Sequence, residues 1–254
     1  MPHITRDGYR LFYYHTGKIS EGYPVVFIHG YLGSSQTHWG HQLNNPKLLS
    51  QFQLIAPDLR GYGKSSIGKK VEKHKTSDHI LDLRFLLTQL QLQQKPILVG
   101  YSIGGTLALM YTLEYPESVQ GILLVSPRPF LGKITRSWNF MAKEKRIGQN
   151  RSYLISFLWV IVKRVQKYKT YISVKRRYKR LTPYFQQLEQ IKVPLLMLYG
   201  SKDSVNPSIV IEILKKHLPQ ADVIEFDSDH GIVHENTEEF NKILLQFLTK
   251  NLSL

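Results

Sequence analysis

Residues 98–105 read LVGYSIGG, a short apolar run that passes directly into Gly100-Tyr101-Ser102-Ile103-Gly104-Gly105. A serine with glycine two residues away on each side suits a sharp strand-to-helix turn, because the strained backbone there leaves no room for side chains at the flanking positions. Such a turn pushes Ser102 Oγ out of a sheet and toward a substrate. The same spacing also occurs in ordinary glycine-rich turns, so its context matters. PILV precedes it and reads as a buried strand, while TLALMYTLEY follows and reads as a helix.

A serine hydroxyl is a poor nucleophile at neutral pH and needs a base to take its proton and an acid to orient that base. In the strand-turn-helix type of serine enzyme the chain order is Ser, then Asp or Glu, then His. VPLLMLYGSKDSVNP supplies a buried-type strand at 194–199, a turn at Gly200 and then Asp203. A further strand, DVIEF, leads into Asp227-Ser228-Asp229-His230-Gly231. Ser102, Asp203 and His230 thus stand in the required order, each just past the carboxyl end of an apolar run. Ligands of open sheets bind outside those strand ends.

The oxyanion of a tetrahedral intermediate needs donors already in place, normally backbone N–H groups. VVFIHGYLGSS ends a strand at His29-Gly30. The N–H of Tyr31 can then share a pocket with the N–H of Ile103, the residue after the nucleophile, while His29 reads as a structural turn residue.

Taken together, these residues resemble the α/β-hydrolase fold family over nearly the whole chain. The resemblance rests on His29-Gly30, on Asp58-Leu59-Arg60-Gly61-Tyr62-Gly63-Lys64-Ser65, on the serine turn, on Tyr199-Gly200-Ser201-Lys202-Asp203, and on His230 followed by Glu235, Glu238 and Phe240. It implies an α/β architecture: an eight-stranded, mostly parallel sheet flanked by helices, with a helical cap inserted after strand 6. It also implies Ser102 as nucleophile, His230 as general base and Asp203 as its orienting partner. Two places depart from the family's habit, which often has glycine immediately before the histidine and proline two residues after the glutamate. Asp229 and Thr237 stand there instead.

A chain of 254 residues, 42% of them hydrophobic, suffices for one large core. The opening MPHITRDGYR lacks the apolar stretch of a signal peptide, and no run approaches the ~18 apolar residues of a membrane span. A cytoplasmic location is therefore expected. With no cysteine, disulfides, thiolate metal sites and a cysteine nucleophile are excluded. We expect no cofactor and no metal.

Alternating strands and helices argue for parallel βαβ units. A β-rich start to about residue 14 precedes strands at 24–28, 53–57, 96–101, 121–126, 194–199 and 222–226, with helices at 36–50, 78–90, 104–115, 207–217 and 235–249. The alternation lapses over 128–190, which carries 16 Lys and Arg against two acids, Glu144 and Glu189. Elsewhere there are 18 basic and 17 acidic residues, so nearly all of the net charge of +15 lies in this insertion. The expected organisation is a catalytic domain of 1–127 and 191–254 with a basic cap of 128–190. Within it Leu154, Leu158, Ile161, Val162, Val165 and Tyr168 share one helical face, while Lys163, Arg164, Lys167 and Lys169 lie mainly off it. Three readings stand: a cap helix with a solvated basic face, peripheral attachment to an anionic membrane, or attraction of an anionic substrate. No recognised DNA or RNA module accompanies the charge, and no specific nucleic acid is expected.

Other features carry less. Gly61-Tyr62-Gly63-Lys64-Ser65 ends like a phosphate loop, but that pattern needs glycine where Asp58 stands. Asp58 and Arg60 read as turn-stabilising residues. His38 and His41 lack a carboxylate cluster to complete a metal site. His234 is the nearby rival to His230. Asp227 and Asp229 lie too near His230 in sequence to reach its far ring nitrogen easily. The expected function is cleavage of carboxylic esters of small molecules through an acyl-enzyme, including acyl or lipid esters at a membrane surface. Alternatives are C–C cleavage or elimination on an anionic metabolite with the same three residues, or a ligand receptor that keeps the pocket without turnover.

Overall fold

The computed structural model describes residues 2–66, 75–128, 185–206 and 208–252. The expected basic helix, with Leu154 through Lys169 and all but the margins of the 128–190 insertion, lies outside the described residues. Strands β1 (His3–Arg6) and β2 (Tyr9–Gly17) form a hairpin around Asp7-Gly8. Both turn residues have positive φ, the twist that a two-residue hairpin loop requires. Then follow β3 (Tyr23–Ile28), β4 (Phe52–Pro57), β5 (Ile97–Tyr101), β6 (Gly121–Val125), β7 (Leu195–Gly200) and β8 (Asp222–Phe226). They make one sheet in the order β1-β2-β4-β3-β5-β6-β7-β8. β2 runs antiparallel to β1 and β4, and every later pairing is parallel.

The order reverses at β3. The chain steps from β3 out to β4, then crosses back to place β5 on the other side of β3. A crevice opens where neighbouring connections leave in opposite directions, outside the carboxyl ends of β3 and β5. The helices α1 (Ser35–Leu43), α2 (Pro46–Leu49), α3 (Thr76–Gln89), α4 (Ile103–Glu114), α5 (Ser208–His217), α6 (Ile232–Glu235) and α7 (Thr237–Asn251) cover both faces.

Central strands are buried on both sides, which is why they read as continuous apolar runs rather than alternating ones. Successive side chains still divide between the faces. Val26, Ile28, Leu98, Leu124 and Met197 pack with Leu83 and Leu86 of α3, Leu107 of α4 and Leu214 of α5. Val25, Phe27, Val99, Leu123 and Leu198 pack with Trp39 of α1, Leu48 of α2, and Phe240 and Leu244 of α7.

Two expected helices are each divided. The helix expected over 36–50 breaks at Asn45-Pro46, because proline pushes its predecessor into extended geometry and starts a new helix at its first position. Asn45 then caps α2, its side chain accepting from the N–H groups of Lys47 and Leu48. The last helix is interrupted at Asn236, whose backbone is not helical, so His234 falls in the short α6 and not in α7. Among the described residues, no helix is long and apolar enough to cross a membrane.

Candidate active site

Ser102 sits between β5 and α4 with φ 53° and ψ −112°, a left-handed conformation that costs a non-glycine residue about 1–3 kcal/mol. The turn closes only because its neighbours lack side chains. A Cβ on Gly104 would lie 2.1 Å from the carbonyl oxygen of Ile28, so the start of α4 rests directly on the end of β3. Ser102 N–H donates to Val125 O at 2.8 Å, and Ser102 O accepts from Gly105 N–H at 3.1 Å. The backbone is thus held from both sides while the hydroxyl projects over the strand ends.

His230 reaches that hydroxyl from the loop after β8. Its Nε2 lies 3.0 Å from Ser102 Oγ, and its Nδ1 lies 2.8 Å from Asp203 Oδ2. Asp203 hangs from the loop after β7, with only 8% of its side chain exposed. Its other oxygen accepts from the N–H groups of Val205 at 2.8 Å and Asn206 at 2.7 Å. With Asp203 ionised, Nδ1 carries the imidazole proton and Nε2 is left as the acceptor facing the serine. The structure brings Ser102, Asp203 and His230 into one hydrogen-bonded line and leaves His234 exposed, outside it.

The segment leading into Tyr31 and the start of α4 flank the serine. A Cβ built on Gly30 would fall 3.3 Å from Ser102 Cβ, so the segment that carries Tyr31 presses against the nucleophile turn. Ile103 is the first residue of α4, where N–H groups have no intrahelical acceptor. His38 supports this wall from α1, its Nδ1 accepting the N–H of Gly30 at 3.2 Å. Burial, then the charges of His29, His234 and His230, push the His38 imidazole down to about 3, and it stays neutral. His29 is fully buried, with Nδ1 against Gly30 O at 2.8 Å and Nε2 accepting from Leu59 N–H at 2.9 Å. Both its nitrogens are occupied by backbone, and burial lowers its proton affinity.

Several contributors were not evident from the sequence. Asn206 Nδ2 donates to Ser126 O at 3.0 Å and lies 3.3 Å from Asp203 Oδ2, joining the ends of β6 and β7. The Asp-x-x-Asn spacing of 203–206 is an Asx-turn signal that was available. Ser126 Oγ donates to His230 O at 3.0 Å. Asp229, the departure from glycine, ties the acid and histidine loops together. Its carboxylate accepts from Ser204 N–H at 2.6 Å, Ser204 Oγ at 2.8 Å and His230 N–H at 2.7 Å. Thr237, the departure from proline, donates to Val233 O at 3.0 Å. Arg128, assigned to the cap by charge, has its N–H on Ser102 O at 3.2 Å.

The phosphate-loop lookalike is closed on itself. Asp58, 2% exposed, accepts from Ser35 N–H at 2.7 Å and from Lys64 N–H at 2.7 Å, so an internal carboxylate fills the turn. Arg60 bonds Asp82 through two nitrogens. Among the described residues no cluster of three metal-ligating side chains occurs.

Comparison with known proteins agrees with this architecture. A family profile described as "alpha/beta hydrolase fold" matches residues 23–157. The chain is 24% identical to the AB hydrolase superfamily protein YisY of Bacillus subtilis, over 90% of this chain and 92% of that protein. It is 26% identical to the pimeloyl-[acyl-carrier protein] methyl ester esterase of Legionella pneumophila, over 92% of this chain and 98% of that one. The crystal structure of the enol-lactonase from Burkholderia xenovorans superposes with a TM-score of 0.72 at 19% identity, covering 98% of this chain and 100% of that one, a likeness of fold. The chain belongs to the alpha/beta hydrolase fold family.

Proposed function

We propose that the protein is a serine hydrolase that cleaves carboxylic esters through an acyl-enzyme. The observation that carries this reading is the continuous line from Asp203 through His230 to Ser102, at 2.8 and 3.0 Å. Ser102 Oγ attacks the ester carbonyl as Nε2 of His230 takes its proton. The Nδ1–H bond to Asp203 holds the tautomer and stabilises the imidazolium that forms. The amides of Tyr31 and Ile103 receive the oxyanion. Collapse of the intermediate expels the alcohol, which takes the proton from His230. Water then repeats the sequence to release the acid.

A methyl ester esterase among relatives of similar length supports ester chemistry over the receptor alternative. A fluorophosphonate probe tests the nucleophile directly. Labelling of the wild type and loss of labelling in Ser102→Ala is the expected result, and equal labelling of both would overturn the assignment. The basic stretch after the apolar block from Tyr153 to Val162 supports lipid esters at an anionic surface as a substrate class. An acyl-chain profile with and without anionic vesicles tests it, and indifference to both chain length and vesicles removes it.

A further inference from the structure

Arg128 stands immediately after β6, beside the nucleophile. Its N–H donates to the carbonyl of Ser102 at 3.2 Å, and its own carbonyl accepts from Thr106 Oγ1 at 2.9 Å. The backbone is therefore pinned at both ends to the turn and first helical turn that present Ser102. Among the described residues, no hydrogen bond holds the side chain. Its Nε is enclosed and has no hydrogen-bond partner, and among the described residues the guanidinium forms no ion pair.

Such a charge is costly to hold. An enclosed N–H of a charged side chain that meets no acceptor loses the hydrogen bonds it made to water and gains none in return. The charge of Asp203 is felt at Arg128, but its two oxygens are already engaged by the amides of Val205 and Asn206 and by His230. Burial lowers the proton affinity of Arg128, and the neighbouring Tyr31 and Asp203 do not make up the loss. Arginine is also the side chain whose planar fork matches a carboxylate with two parallel hydrogen bonds.

We infer that Arg128 is an anion anchor of the active site, and that the ester cleaved at Ser102 carries a free carboxylate elsewhere in the molecule. The inference rests on the reading of Ser102 as nucleophile. The carboxylate meets the unpartnered Nε–H side of the Arg128 guanidinium while the ester carbonyl lies between Ser102 and the amides of Tyr31 and Ile103. Binding energy gained at Arg128 positions the reacting carbonyl without taking part in bond making.

The test measures hydrolysis by proton release. Monomethyl esters of succinic, glutaric and adipic acids place the carboxylate on the acyl side, and O-acetyl glycolate places it on the alcohol side. Methyl esters of butanoic, pentanoic and hexanoic acids are the neutral counterparts. The wild type should prefer an anionic ester of one series, which identifies the side recognised. Arg128→Gln should lower kcat/KM for that ester by about tenfold or more, mainly through KM, while neutral esters change by less than about threefold. Arg128→Lys, which keeps the charge but loses the fork, should fall between.

A wild type that prefers the neutral esters overturns the inference, and this needs no variant to fold. Equal losses on neutral and anionic esters also overturn it, since Arg128 would then serve every substrate alike. Calorimetric binding of monomethyl glutarate to Ser102→Ala, against Ser102→Ala/Arg128→Gln, reads the anchor without chemistry. Binding lost on removing Arg128 supports the anchor even if fluorophosphonate fails to label Ser102, whereas equal binding by both proteins sinks it while leaving the nucleophile assignment untouched.

Discussion

Two arginines, Arg60 and Arg128, show how differently this molecule treats buried charge. Arg60 is 1% exposed in the turn after β4, with Nε 2.8 Å from one oxygen of Asp82, another nitrogen 2.5 Å from the other, and the Tyr9 ring 3.8 Å beneath it. Burial alone would weaken its hold on the proton, but the hydrogen bonds and charge of Asp82 more than reverse this and its pKa is raised. Arg128 is only partly buried as a residue, but its Nε is enclosed without such a partner, and burial lowers its pKa. A charge satisfied within the chain is architecture. One left unmet beside a nucleophile is a place for something that arrives.

The same contrast separates residues whose loss harms chemistry from those whose loss harms the fold. Ser102→Ala, at the rim, should reduce ester turnover by about 10⁴-fold or more, the scale seen when a member of such a catalytic unit is removed. Its thermal midpoint should stay the same or rise, because a strained left-handed position keeps its geometry while losing only a hydroxyl. A matching fall in stability would mean that the hydroxyl is structural. Asp82→Ala is the opposite case. It strands Arg60 in the interior and removes the partner of Arg6 at 2.8 Å, so unfolding free energy should drop by about 3–5 kcal/mol. The fluorophosphonate labelling rate of the protein that remains folded should be unchanged. A slowed rate would show the turn coupled to the rim.

Asp229 lies between these extremes, being part of the rim and yet fully engaged within the chain. Asp229→Ala frees Ser204 N–H, Ser204 Oγ and His230 N–H at once, and urea unfolding should register a loss of about 1–3 kcal/mol. Turnover should fall as well, because the loop that aims His230 loses its tie to the loop of Asp203. Full activity at reduced stability would confine Asp229 to holding the loops together.

What the sequence made legible follows from the same distinction. Strands β3 to β7 announce themselves because both faces are covered, and a parallel interior strand tolerates few polar residues. Ser102, Asp203 and His230 were readable because each chemical type stands at the end of such a strand, where the topology leaves a crevice. Asn206, Ser126 and Asp229 were not, since their roles lie in contacts between loops 25 to 104 residues apart in the chain. Asp229 could be marked only as a departure from glycine, and the structure shows what the carboxylate does there. Arg128 was hidden by its neighbours: the charge of the following segment drew it into the cap, whereas its backbone bond to Ser102 belongs to the rim.

His38 offers the finest test, because it is a titratable group buried in the wall of the site and kept neutral. Its Nδ1 accepts from Gly30, and its ring faces His29, His234 and Tyr101, with the charge of His230 also felt. Burial, then those imidazoles, lower it to about 3 in the folded protein, whereas an unfolded histidine titrates near 6.5. Between these values the unfolded chain binds a proton that the folded one refuses, so stability falls as pH drops below about 6.5, with a slope approaching 1.4 kcal/mol per unit, and levels off near 3. Above the unfolded value this group contributes no pH dependence. In His38→Asn the side-chain oxygen can still accept from Gly30, but nothing titrates. Urea unfolding at pH 7 and pH 5 should therefore show the wild type losing about 2 kcal/mol more than the variant over that interval. Equal losses would place the acid sensitivity with His29, His15 and His234, whose proton affinities burial also lowers, and would mean that the wall around Gly30 opens enough to let His38 charge without cost.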